Sequence, residues 1–335
     1  MLSSVRPTCS GIVSKLVYHR KAITVDCFKL IHTPSSSKIY FEQATEADIK
    51  LFDTLTGVVP VYRFGEKIWK LKFDTCPHGF LKIMHSGTPV GLSVMNFINS
   101  DITWGHLIVL LPQYRASGII VRLFDNYGDT LANMVSDWRY DIQWQRLKGM
   151  ENSVTDFGRL AASGKIQQIP TWKWKSSCQV ESATNENGLA DAVLKYDTDI
   201  YSHIDSHGKR REFMHQWAFD KSRSCCKVAI DRDGHVAGYA VLREYTKDFW
   251  RLNPVYANCN TIAYDLIMSV LSTLPVSTSV FCGFPDFASA TTLTACTEMG
   301  LQRFEAGNRI RVYRLRSISE LPFNKMYAKA EFWPM

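Results

Sequence analysis

A mixed α/β protein, two tandem units whose mostly antiparallel sheets carry flanking helices, is what this 335-residue sequence predicts. Three observations carry that reading. Short apolar runs separated by turn residues predict antiparallel hairpins. In residues 107–126, LIVLLPQYRASGIIVRLFDN, an apolar run stops at Pro112, passes an Arg/Ser/Gly turn and becomes a helix pattern with apolar residues at 119, 120, 121, 123 and 124. The order of strands and helices before residue 175 then recurs after 176, which reads as an internal duplication.

Taken in order, residues 1–37 form a basic arm ending in the linker-like Pro34-Ser35-Ser36-Ser37. The first unit spans 38–175. Residues 38–43 predict a strand, and Thr45 with Asp48 three residues on predicts a capped helix through Leu51, Phe52 and Leu55 to Gly57. Residues 80–84 and 90–98 flank HSGTP as a hairpin, and 101–111 is the next strand, feeding the turn and helix above. A fifth strand is expected at 139–144, a helix at 153–162 and a closing strand at 171–175, where tryptophans alternate with lysines.

The second unit spans 176–316. It reads as a strand at 179–183, helices at 187–197 and 210–217, and strands at 224–230 and 236–243 about Asp231-Arg232-Asp233-Gly234. A strand at 249–253 ends at Pro254; a helix at 261–274, a strand at 279–283, a helix at 288–299 and a strand at 309–315 follow. Residues 317–335 are left as a tail.

Composition narrows the function classes. Apolar residues make up 46% and charged residues 21% of the chain, the balance of an ordinary globular protein. No apolar stretch approaches the roughly 20 residues needed to cross a bilayer, so no membrane partner is expected. Of the net charge of +7, residues 1–30 supply +4, through Arg6, Lys15, Arg20, Lys21 and Lys29 against Asp26 alone. What remains is too little for a phosphate-backbone binder, and nucleic acid is not expected as a partner. The acid-free, serine-containing N-terminus fits a mitochondrial transit peptide or a disordered arm, giving a cytoplasmic or mitochondrial location. Nine cysteines without C-x-x-C spacing read as reduced thiols, with Cys282 and Cys296 in the core. His203, Asp205 and His207 alternate as metal ligands on a strand do, but the surrounding IDSHGKRRE reads as a loop, so no metal is expected.

A strand feeding a tight turn into a helix leaves the first helical amides without intrahelical acceptors, aimed at an anion. The segments FEQATEAD and ITWGHLIVLLPQYRASGI in the first half follow a known family pattern. So do VAIDRDGHVAGYAVLRE, WRLNPVYANCNTIAYDLIMSVL, VFCGFPD and MGLQRF…RVYR in the second. With them the chain resembles the GNAT acetyltransferases, and over about residues 38–316 the tandem type with two GNAT-like domains. The family's V-x-P-x-Y-R-x-x-G-I-G turn is matched up to Gly118, and Ile120 stands where Gly or Ala is usual.

The resemblance implies an acetyl-coenzyme A dependent N-acyltransferase acting on a small amine or amino-acid-like acceptor. Pantetheine is expected along the backbone of Val109 and Leu111, and pyrophosphate on the amides of Arg115, Ala116, Ser117, Gly118 and Ile120. Amides near Val109 are expected to polarise the thioester, with His106 or Asp101 as the base. Phe157 lies where many relatives carry a tyrosine acid; Tyr140 is the candidate substitute. Trp104, Arg251, Tyr256 and Asn258 are candidate acceptor-pocket residues. In the second half Arg251-Leu252-Asn253-Pro254 stands in place of the phosphate turn, and proline removes a donor, so coenzyme is expected in the first half only. A non-catalytic ligand sensor and a rigid interaction module are the alternatives. Oligomeric state is left open.

Overall fold

Ser86 and Gly87 take positive φ values of 49° and 81°. That is the backbone a two-residue hairpin turn demands, and it closes β2 (Phe80–His85) onto β3 (Thr88–Phe97). The computed structural model describes residues 39–56, 65–97, 103–114, 134–138, 154–156, 160–202, 209–246, 249–284, 288–305, 309–313 and 325–328. The hairpin extends on one side to β1 (Ile39–Gln43) and on the other to β4 (Thr103–Leu110), all antiparallel. Parallel to β4 runs β5 (Met134–Trp138). Thr45 caps a 3₁₀ turn, Glu46–Asp48, that runs into helix α1 (Ile49–Thr56), the Thr45 amide and hydroxyl both donating to Asp48 Oδ2 at 2.8 Å. Helix α2 (Glu66–Thr75), which the sequence reading missed, buries Ile68, Trp69 and Leu71.

The second sheet repeats this plan. β8 (Gln179–Ser182), β9 (Ser224–Ile230), β10 (Val236–Thr246) and β11 (Phe249–Ala257) form an antiparallel series, and β12 (Ser279–Phe284) runs parallel to β11. Helices α3 (Leu189–Tyr201) and α4 (Lys209–Ala218) precede β9; α5 (Asn260–Leu271) joins β11 to β12, and α6 (Ser289–Glu298) follows.

The units interlock by exchanging strands. β6 (Val154–Asp156) and β7 (Leu160–Lys165) are successive in the chain, yet β7 lies in the second sheet between β12 and β13 (Gln302–Glu305). Conversely β14 (Arg309–Tyr313) crosses to the first sheet, between β5 and β6. Each sheet therefore holds a strand from the other side of residues 175/176. One apolar core also spans both: Phe52, Trp69 and Phe80 join Tyr201, Trp217 and Tyr239. Lys72, 2% exposed, lies with Nζ 5.6 Å from the Trp69 ring and 5.9 Å from that of Trp217, so its charge faces aromatic π-density from both units. The other core lies under α5 and α6 and takes in Cys282 and Cys296, as expected.

Several expectations are corrected. The described part of the helix expected at 153–162 is strand, Val154–Asp156 and the start of β7: Ala161 and Ala162, fully buried, pair on both edges of β7, and tertiary pairing overrides helix propensity there. Residues 171–175 are not a strand, because the amides of Lys175 and Ser176 donate to the Asp265 carboxylate on α5 instead of a ladder. The fifth strand comes earlier than expected, at Met134–Trp138, and 139–153 lie outside the described residues. β11 does not end at Pro254 but continues to Ala257. Within the stretch assigned to a tail, Met326–Ala328 form β15, antiparallel to β11. The arm at 1–37 lies outside the described residues. Among those described, no helix is long and apolar enough to cross a membrane.

Candidate functional site

The first unit holds an open strand edge. In the β3–β4 register Val94 faces Leu107 and Met95 faces Gly105, so His106 is an extra, bulged residue. A bulge bends its strand and sharpens the twist. β4 accordingly pairs with β5 only from Thr103 to Gly105, and beyond the bulge residues 107–110 pair with β3 alone. Their other edge has no strand partner among the described residues.

Strand alternation identifies which backbone groups are on offer. The Leu111 amide donates to Val90 O at 2.9 Å, toward β3. The Val109 carbonyl also points that way: a Cβ built on Gly91 would meet it at 2.4 Å. Residues 108 and 110, of opposite parity, turn their N–H and C=O groups toward the open edge. The expected pairing through Val109 and Leu111 is thus shifted by one residue, to Ile108 and Leu110. The bulge at His106 changes the count, and no local pattern announces it.

After β4, Pro112–Tyr114 make a short 3₁₀ turn, and the Tyr114 hydroxyl lies 3.4 Å from His85 Nδ1. Val109 and Leu110 are buried. Trp104 and His106 are on β4 by backbone. Asp101, Arg115, Ala116, Ser117, Gly118, Ile120, Tyr140 and Phe157 lie outside the described residues, as do His203, Asp205 and His207.

The second unit holds the same device. Gly238 faces Ala257 as Gly91 faces Leu110, and a Cβ on Gly238 would meet Tyr256 O at 2.6 Å. Asn258 N donates to Ala237 O at 2.9 Å, the counterpart of Leu111 to Val90. The bulge here is Asn253-Pro254, between Leu252 and Val255, and β11–β12 pairing stops at Leu252. Proline is tolerated because a bulge needs no ladder donor there. The reading of residues 251–254 as the turn is therefore corrected: the turn into α5 is Asn258–Asn260, and Pro254 takes no donor from it. The Ile108 and Leu110 counterparts are Val255 and Ala257, and β15 lies on that edge, with Val255 opposite Ala328.

Around this edge side chains are tied together by hydrogen bonds. Tyr327 donates its hydroxyl to Asn260 Oδ1 at 2.7 Å, and Tyr196 donates to Asn258 Oδ1 at 3.0 Å. Cys259 caps α5, its Sγ 3.2 Å from the Thr261 hydroxyl. Desolvation raises this thiol, but hydrogen bonds from the Thr261 side chain and the Ile262 and Thr261 amides outweigh it and lower Cys259. Beneath lies a buried network. Arg210 Nε and Nη2 donate to Asp197 at 2.6 and 2.7 Å, Tyr239 donates to the same carboxylate, and Tyr201 meets Tyr256 hydroxyl to hydroxyl at 2.6 Å. Burial disfavours the Arg210 charge, but Asp197 outweighs it and holds the guanidinium above its ordinary value. Burial also pushes the phenols of Tyr201, Tyr239 and Tyr256 up, so they stay protonated.

Of the expected pocket residues, Tyr256 belongs to this network and Arg251 is buried between the Tyr245 and Phe281 rings, at 4.9 and 4.6 Å. Asn258 alone of the three is exposed. On the β9–β10 turn Asp231, Asp233 and His235 converge, with Asp231 Oδ1 accepting the Asp233 and His235 amides at 3.0 and 2.8 Å.

Residues 204–308 match the family model of the acetyltransferase (GNAT) domain. In overall fold the chain is similar to a Pyrococcus horikoshii protein assigned as an acetyltransferase, with a TM-score of 0.63 and 14% identity over 89% of this chain and 96% of that one. It is also similar to a tandem GNAT protein from the clavulanic acid biosynthesis pathway, with a TM-score of 0.56 and 10% identity over 82% and 97%. A third is a GCN5-related N-acetyltransferase from Sphaerobacter thermophilus, with a TM-score of 0.54 and 11% identity over 82% and 94%. Among curated protein sequences none matches.

Proposed function

We propose an acetyl-coenzyme A dependent N-acyltransferase working in the first unit, for a chain whose residues 204–308 match the GNAT acetyltransferase domain model and whose fold is similar to that of GNAT proteins, a tandem one among them. The supporting observation is the open edge of β4 beyond the His106 bulge, lined by the backbone of Ile108 and Leu110. An extended amide chain such as pantetheine supplies the alternating donors and acceptors that such an edge lacks. Gly91 keeps Val109 close against β3, so the edge is held rigid where the thioester lies.

The chain's own groups then divide the work. An amide on the open edge donates to the thioester oxygen as negative charge builds there. His106, at the bulge, accepts the proton that the acceptor ammonium must lose before its nitrogen attacks the carbonyl carbon. Collapse of the tetrahedral adduct breaks the carbon–sulfur bond, and the thiolate takes a proton from water or from Tyr140. Asp101 is the alternative base. The amides of residues 115–118 and 120 are the groups proposed to hold the pyrophosphate. The acceptor is a small amine, with Trp104 and Asn258 as candidate contacts.

Acetyl transfer from acetyl-coenzyme A to a panel of small amines and amino acids tests this, comparing wild type with Gly118→Trp and His106→Ala. Turnover lost in both, with coenzyme binding kept in His106→Ala, is expected. Coenzyme binding without turnover on any amine supports the rival sensor reading, which the closed second edge favours.

A further inference from the structure

β11 and β4 are the same device in two states. Each bends at a bulge, leaves its parallel neighbour there and passes a glycine on the preceding strand. On β4 the edge beyond the bulge is open among the described residues; on β11 it carries β15. That strand is only three residues long, yet Met326 and Ala328 are fully buried and Tyr327 is nearly so. It is latched at two points, the Thr292 hydroxyl donating to Tyr327 O at 2.9 Å and the Tyr327 hydroxyl to Asn260 Oδ1. The second latch sits on the first turn of α5, where the turn leaving β11 ends. A peptide strand thus lies along the edge at Val255, opposite Ala328, the position that corresponds to Ile108 on β4.

The geometry points to a second, latent slot on β11 for an extended amide-bearing chain of the pantetheine class, held shut by β15 from the chain's own C-terminal segment. The ligand class rests on the reading of the first slot given above. The occupant is a tethered competitor: while β15 is latched, the chain takes coenzyme at one slot, and release of β15 gives it two.

The test uses acetyl-coenzyme A as calorimetric titrant and Gly118→Trp to close the first slot. The full-length Gly118→Trp chain is expected to bind none. The same variant ending at residue 324 is expected to bind one equivalent, and a synthetic peptide of residues 325–335 to compete with it. A truncated Gly118→Trp chain with a native circular dichroism spectrum and no binding overturns the proposal. Binding there with none to intact wild type removes the first-slot reading and leaves this one standing. If truncation prevents folding, a protease site inserted between Tyr313 and Lys325 is cut after folding. Acetyl-coenzyme A is then expected to speed release of the C-terminal peptide, and a release rate unchanged by the coenzyme overturns the proposal.

Discussion

Replacing Gly91 by alanine puts a methyl group where the structure has no room for one. The added Cβ would lie 2.4 Å from Val109 O, 2.6 Å from Leu110 Cδ2 and 3.3 Å from Leu110 Cα. A carbon and a carbonyl oxygen pack no closer than about 3.3 Å, so β3 and β4 must separate by roughly 1 Å. Overpacking of this kind costs about 1–3 kcal/mol of stability. A shift of that size at the strand that positions a substrate lowers turnover on the order of 100-fold. Gly238→Ala is the control, because its Cβ meets Tyr256 O at 2.6 Å and Ala257 Cα at 2.9 Å on the strand that holds β15. Denaturant unfolding should show similar losses for both variants. Calorimetry and acetyl transfer should show a loss for Gly91→Ala alone. Wild-type affinity and turnover in Gly91→Ala, or an equal functional loss in Gly238→Ala, would refute the assignment of the coenzyme to β4.

Three further outcomes follow from the packing. Asp197→Ala strands the Arg210 guanidinium, 1% exposed, and should cost about 3–5 kcal/mol in denaturant unfolding; a double Asp197→Leu, Arg210→Met variant should recover most of it. A cost below about 1 kcal/mol for the single variant contradicts a buried ion pair. Cys259, held below the ordinary thiol range, should react with iodoacetamide at lower pH than a free thiol, read by peptide mass mapping. Its contribution to stability is complete above the unfolded thiol's pKa and is lost as pH falls through the lowered folded value. Fragments 1–175 and 176–335, expressed apart, should each fail to fold, since β7 and β14 sit in the opposite sheets, and should reconstitute when mixed. Independent folding of either fragment speaks against the strand exchange.

Local chemistry made much of this fold legible. HSGTP gave its hairpin through Ser86 and Gly87, and Asp231 to Gly234 gave another through Gly234 at φ 80°. Thr45 and Asp48 capped their helix as the spacing required. Non-local pairing was another matter. Nothing in Leu160–Lys165 says that its partners are β12 and β13 from beyond residue 278, and a run of small residues reads as helix until those partners are known. Met326–Ala328 is too short to carry a period that marks it as a strand. The bulges hid in the same way: His106 shifted the parity of β4 by one, and Pro254 read as a strand end although it sits at a bulge inside β11. One signal was there to be read. Gly91 and Gly238 each lie 19 residues before the strand residue they face, Leu110 and Ala257, and that shared spacing marks the duplicated slot.

Hydrogen–deuterium exchange of the full-length chain with and without acetyl-coenzyme A tests the central claim most directly, because it reads both edges in one experiment. Added coenzyme should slow exchange at the amides of Ile108 and Leu110 and through residues 115–120. It should leave Val255, already paired with Ala328 of β15, and the neighbouring Ala257 unchanged. New protection at Val255 and Ala257 with none on β4 would contradict the account and put the coenzyme in the second unit.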